Sequence, residues 1–121
     1  MRKGYLLLAM VLALGACSTT GPMSGQTVSG PTGVLLAQAN EHERMGDIDK
    51  SIALVERAVR IEPRNAFAWH RLAKLHFSLN NFSKAEQFAR RSIQFAGGNK
   101  RLIQDNQRLI ETVRLKQQRE S

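Results

Sequence analysis

The residue types that do chemistry are few in this 121-residue chain, and their spacing limits what they can do. There is one cysteine, Cys17, and there are three histidines, His42, His70 and His76. A single cysteine closes no internal disulfide, which excludes a disulfide-stapled secreted fold. The histidines follow no metal-ligand spacing, and no further cysteine or carboxylate cluster joins them, so no metal site is expected. Ser51 and Ser92 have no histidine–acid pair placed to activate them, so neither is expected to be a nucleophile. The pairs Glu41/Glu43 and Asp47/Asp49 fall at a helix end and a helix start, and for the aspartates a favourable helix-dipole role suffices. The expectation is a protein that is not an enzyme and needs no cofactor.

Cys17 has a context of its own. Arg2 and Lys3 give the chain a positive start, and Tyr5 to Ala16 is an apolar run of a dozen residues. A membrane-spanning helix needs roughly 20 such residues, whereas a signal-peptide core is about this long. The run ends in Leu14-Gly15-Ala16-Cys17, which resembles a bacterial lipobox. That resemblance implies a diacylglyceryl group on the cysteine sulfur, cleavage just before it, and acylation of the new amine. Residues 1–16 are thus read as a lipoprotein signal peptide and Cys17 as the lipidation site; an ordinary cleaved signal or an uncleaved anchor are the alternatives. Several acyl chains make a firm anchor where one binds only marginally. Ser18, and not aspartate, follows the cysteine. By resemblance to the lipoprotein sorting rule this implies the periplasmic face of the outer membrane. Residues 17–33, rich in Ser, Thr, Gly and Pro, bury too little to offset ordering and are read as a disordered tether spanning roughly 22 Å.

The net charge is +8, divided unevenly. Val34 to Asn65 carries five basic and six acidic residues, while Ala66 to Ser121 carries eleven basic and four acidic. The basic surface belongs to the second half, with clusters at Arg90-Arg91 and Lys100-Arg101. Nucleic acid is excluded as a partner by the export signal, since binding it requires a cytoplasmic address. Phospholipid headgroups and acidic envelope polymers are the candidate anions, against the plainer reading of a solvated helical face.

From Val34 to Gly97 one helical hairpin is written twice, thirty-four residues apart. Leu35 falls on Trp69, Ala39 on Ala73, His42 on His76, Ile48 on Phe82, Ser51 on Ala85, Ala58 on Ser92 and Val59 on Ile93. Gly46 matches Asn80, both tolerant of positive φ, and the N-cap residues Asp47 and Asn81 follow them. Helices are expected over Val34–Met45, Ile48–Ile61, Ala66–Leu79 and Phe82–Phe95. Pro63 ends the second and Asn65 caps the third. After Gly97-Gly98, Leu102, Ile103, Leu109, Ile110 and Val113 mark one face of a last helix, roughly Asn99 to Gln118.

A match at this period is the signature of a helix–turn–helix repeat and resembles the tetratricopeptide repeat (TPR) family. Repeat two supplies Trp69, Leu72, Ala73, His76, Phe82, Ala85 and Ser92; repeat one supplies Leu35, Ala39, His42, Gly46, Ile48, Ser51, Ala58 and Pro63. Gln38, the two histidines, Gly97 and Ala89 depart from the pattern. The resemblance implies an all-α α-solenoid: TPR repeat 1 over residues 34–64, TPR repeat 2 over 65–97 and a capping helix over 98–121. It also implies packing roles for His42 and His76, which stand in for semi-buried tyrosines, and a concave face lined by the first helix of each repeat. The partner-binding residues carried over on that face are Asn40, Arg44, Phe67, His70, Lys74 and Phe77. A clamp for a C-terminal carboxylate is incomplete, because Leu36 stands where a lysine would be.

The function these readings imply is a scaffold holding a protein or peptide of an envelope assembly, of the kind that serves pilus or secretion machinery. The alternative is a binder of anionic envelope polymers or lipids through the basic second repeat and tail. Burial of the face by a second copy of the chain is a further possibility.

Overall fold

The computed structural model describes residues 30–121, which form five α-helices and, within that span, no strand. They are α1 (Gly30–Arg44), α2 (Ile48–Ile61), α3 (Ala66–Ser78), α4 (Phe82–Phe95) and α5 (Lys100–Glu120). α1 pairs with α2 and α3 with α4; α2 also packs on α3, and α5 lies against α4 and α3. Connections this short between neighbouring helices make each pair antiparallel. The described residues therefore form a stack of two hairpins closed by a single helix. The signal peptide, Cys17 and the tether as far as residue 29 lie outside the described residues.

Small side chains set how closely the helices approach. Ala39, Ser51, Ala58, Ala73, Ala85, Ala89 and Ser92 have no exposed surface at all. Where hydroxyls replace methyls, they are satisfied by backbone across the helix pair. Ser51 donates to the Ala39 carbonyl at 2.9 Å and Ser92 to the Ala66 carbonyl at 2.7 Å. Both serines thus pack and bond between helices. The larger residues Val55, Val59, Trp69, Leu72 and Leu75 fill the space beside them in one cluster shared by α1, α2 and α3. Trp69 is held by its indole N–H, which donates to the Pro63 carbonyl at 2.7 Å.

The two loops inside the hairpins are the same structure made twice. Gly46 N–H donates to the Glu43 carbonyl at 3.0 Å and Asp47 N–H to the His42 carbonyl at 2.8 Å. At the equivalent places, Asn80 N–H donates to the Phe77 carbonyl at 3.0 Å and Asn81 N–H to the His76 carbonyl at 2.9 Å. This is the Schellman pattern, which needs a left-handed residue; Gly46 has φ of 81° and Asn80 of 60°.

Two expectations need correction. The first helix begins at Gly30 and not Val34, so residues 30–33 belong to α1 and not to the tether. Pro31 sits in the first turn, where its fixed φ suits a helix and its missing N–H costs nothing. Thr32 and Gly33 are buried. The second correction concerns Asp47 and Asn81, which occupy the N-cap positions of α2 and α4 without capping them. The Asp47 carboxylate lies 3.3 Å from Lys50 Nζ and 3.7 Å from His42 Nδ1. The Asn81 amide reaches His76 Nδ1 at 3.4 Å. Asn81 thus turns back to the histidine of the preceding helix, whereas Asp47 lies closer to Lys50 of the helix that follows it. Asn65 does cap, accepting from Ala68 N–H at 3.1 Å, and Asn99 does the same for Leu102 at 3.0 Å.

The left-handed loop makes a direct prediction. Nothing lies within 4 Å of a Cβ placed on Gly46, so only backbone strain opposes a side chain there. Gly46→Ala should lower stability by about 1–2 kcal/mol, while Gly46→Asn should cost clearly less, in urea melts followed by circular dichroism.

Candidate partner-binding surface

α1, α3 and α5 run side by side, and two polar bridges lock them into one face. Glu43 of α1 accepts from the Arg71 guanidinium of α3 at 2.8 Å. His70 of α3 meets Asn106 of α5, Nδ1 to Oδ1, at 2.8 Å. The second bridge runs inward. Asn106 has no exposed surface, and its amide nitrogen donates to Ser92 Oγ and to the Leu102 carbonyl, both at 2.8 Å. A carbonyl can only accept, so the amide nitrogen faces Leu102 and the amide oxygen faces His70. His70 Nδ1 therefore carries the proton. Ser92 completes the chain through its bond to the Ala66 carbonyl.

Asn106 is the functional residue that sequence reasoning passed over. The signal was present: Asn99 caps α5 as Asn65 caps α3, thirty-four residues earlier. That register makes α5 a third copy of the repeat's first helix, with Asn106 in the place of Leu72. An amide where the core wants leucine demands partners, and Ser92 and His70 supply them. Asn106→Ala should cost about 1–3 kcal/mol by stranding these groups, measured by urea denaturation.

The six partner-binding residues are spread along this face. Asn40 and Lys74 are exposed at equivalent positions on α1 and α3. Arg44 is exposed but donates to Glu41 at 2.8 Å. His70 is half-buried and its Nδ1 is committed to Asn106. Phe77 is half-buried against the Phe82 ring at 5.8 Å, with Lys116 Nζ 5.5 Å from its centroid. Phe67 lies at the opposite end, 42% exposed. About fifteen ångströms of helix separate the two phenylalanines, so they do not form one apolar contact. Phe67 instead lines a cleft of about 580 Å³ between the α2–α3 and α4–α5 connections, together with Pro63, Arg64, Phe95 and Leu102. Among the described residues no three His, Cys, Asp or Glu side chains come within reach of one ion.

His76 is buried beneath Phe88, with ring centroids 5.3 Å apart, and its Nε2 has no partner. Burial holds its pKa below the ordinary 6.5, and the Lys84 charge adds to the effect while Glu56 opposes it. Above pH 6.5 both folded and unfolded chains keep this ring neutral, and its contribution to stability is complete. Below 6.5 the unfolded chain takes up a proton that the folded site resists. Stability then falls with pH until the lower folded pKa is passed. His76→Phe should remove this component, a slope of up to about 1.4 kcal/mol per pH unit, from paired urea melts between pH 7 and 5.

Comparison with known proteins follows the same geometry. Family profiles described as tetratricopeptide repeat match residues 32–75 and 68–99. Among solved structures, the globular C-terminal domain of P. aeruginosa LpoP is 35% identical, with a TM-score of 0.71 over 74% of this chain and 84% of that one. A tetratricopeptide repeat domain protein from Salinibacter ruber is 21% identical, with a TM-score of 0.65 over 70% of this chain and 97% of that one, and shares the fold. No curated protein matches.

Proposed function

Because the chain belongs to the tetratricopeptide repeat family, we propose that it is a non-catalytic scaffold that holds a partner protein of an envelope assembly against the α1–α3–α5 face. The observation that carries this reading is the locked face itself. The Glu43–Arg71 and His70–Asn106 bridges fix three helices in register and leave Asn40 and Lys74 exposed between them. An amide and an ammonium held on rigid helices suit the carbonyls and carboxylates of an extended segment. Arg44, Phe67, His70 and Phe77 extend the surface to either side.

The proposed address is the periplasmic face of the outer membrane, with the chain held by acylated Cys17. The helical body begins at Gly30, thirteen residues after Cys17. The similar LpoP domain is the globular C-terminal domain of its protein, which supports a plan in which the helical body follows an N-terminal segment. No described helix is long and apolar enough to cross a membrane.

Photo-crosslinkers placed at Ser78, one turn beyond Lys74 on α3, and at Arg57, on the side away from this face, test the scaffold in the intact envelope. Ser78 should capture a defined protein and Arg57 should not. Asn40→Ala with Lys74→Ala should abolish the capture while stability moves by no more than about 0.5 kcal/mol. Equal capture from both positions, or capture indifferent to the double variant, removes the assignment of the face. Cys17→Ala should release the chain from the membrane fraction.

The second reading, binding of anionic polymers or lipids, is favoured by the charge division, eleven basic against four acidic residues from Ala66 onward. High salt should dissolve such binding.

A further inference from the structure

Strong positive charge and exposed apolar surface meet at one end of the stack, where α1, α3 and α5 begin and α2 and α4 finish. Ile61, the last residue of α2, is 49% exposed, and Phe67, in the first turn of α3, is 42% exposed. Four cations share this end: Arg60 in the last turn of α2, Arg64 in the next connection, and Lys100 and Arg101 in the first turn of α5. All four are exposed, and none pairs with a carboxylate among the described residues. The Arg64 guanidinium lies 5.7 Å from the centroid of Phe95, and all three of Arg64, Phe67 and Phe95 line the same cleft.

This arrangement runs against the helices' own electrostatics. A helix start carries partial positive charge and favours acidic side chains. The first turns of α1, α3 and α5 contain no acidic residue, and α5 opens on two cations. The stack does not place them there for its own stability. Glu62 is the acidic residue in the cleft, and it is occupied in accepting from the Asn65 amide at 3.0 Å.

The same end is where the preceding chain arrives. α1 starts at Gly30, and its antiparallel pairing with α2 returns that start to the level of Ile61. Whatever holds the N-terminal residues therefore draws this end toward itself. The opposite end also exposes Met45 and Leu79, but there Arg44 and Lys50 are paired with Glu41 and Asp47, and Asp49 adds a further negative charge, so it is the poorer match for an anionic layer.

We propose that this end of the stack rests on a membrane surface, with Ile61 and Phe67 entering the headgroup layer and Arg60, Arg64, Lys100 and Arg101 binding anionic lipid phosphates. Short apolar side chains ringed by long cationic ones match such a boundary, since the stems lie along the apolar zone while the charges reach the phosphates. The proposal takes from the anchored reading only the direction from which the membrane approaches. Docked this way, Phe67 is given to the membrane and not to the partner, while the rest of the α1–α3–α5 face, with Asn40 and Lys74, stands upright from the bilayer and remains open.

Trp69 is the chain's one tryptophan, and its indole bonds to Pro63 in the cleft wall, so it reports on this end. The full chain is reconstituted in phosphatidylcholine vesicles with or without phosphatidylglycerol, each containing a lipid spin-labelled at the headgroup. Trp69 emission should be quenched only where phosphatidylglycerol is present, and high salt should restore it. Replacing Arg60, Arg64, Lys100 and Arg101 by Glu should abolish the quenching, with the docked population weakened by about fivefold for each cation lost. Circular dichroism confirms that the variant is folded; if it is not, Lys100→Glu with Arg101→Glu is read in its place. Equal quenching in both vesicles, or quenching that survives the charge reversals, overturns the proposal. So does a chain that binds a soluble phosphate-rich polymer yet shows no response to vesicle composition. Failure of the Cys17 reading appears separately, as unchanged fractionation of the Cys17→Ala chain, and leaves the contrast between the two vesicles intact.

Discussion

Two helices can touch closely only where the side chains between them are small, and this chain satisfies that condition wherever its helices cross. Alanine or serine with no exposed surface lies on every one of the first four helices. Any larger group at Ala39, Ala73 or Ala85 would push a helix pair apart and separate the residues aligned across it. The bulky residues Trp69, Leu72 and Phe88 then act as spacers of defined thickness, with the Trp69 and Phe88 rings 5.7 Å apart. Because interiors of this kind are close-packed, the spacing of the outer surfaces follows from that of the inner ones. The Glu43–Arg71 and His70–Asn106 bridges form at 2.8 Å because the small residues beneath them have already set the distance.

Most of the fold could be read from the sequence because it rests on local, repeated signals. Gly46 and Asn80 announced two identical loops, and Asn65 announced a helix start. The mistakes have physical causes. Pro31 and its neighbouring glycines resemble a linker by composition, yet a proline in the first turn serves a helix well, and the repeat register would have placed Thr32 opposite Ala66. Asp47 and Asn81 have the right chemistry for caps, but the Asp47 carboxylate lies by Lys50 and the Asn81 amide nitrogen by His76. Which neighbour a side chain meets is decided by three-dimensional proximity, which residue type alone does not convey.

The candidate surface was less accessible to sequence reasoning, for a related reason. The residues expected on the face are identifiable from the repeat register, but how many remain available depends on partners from other helices. Arg71 is taken by Glu43, His70 by Asn106, and Phe77 by Phe82 and Lys116. Asn40 and Lys74, at equivalent repeat positions, stay exposed. The cleft beside Phe67 exists only because two connections distant in sequence end at the same level. Periodicity reports what each repeat contributes, whereas a cleft between repeats belongs to neither.

The outward side of α5 is polar, with Arg101, Gln104, Arg108 and Glu111 all exposed, while Leu102, Asn106, Ile110 and Val113 turn inward. A further hairpin laid on that side would have to desolvate these charges for little apolar contact beyond Leu115. The last helix thus resists extension of the stack on that side. Two copies joined head to tail would behave as separate beads on a string, and not as one longer spiral.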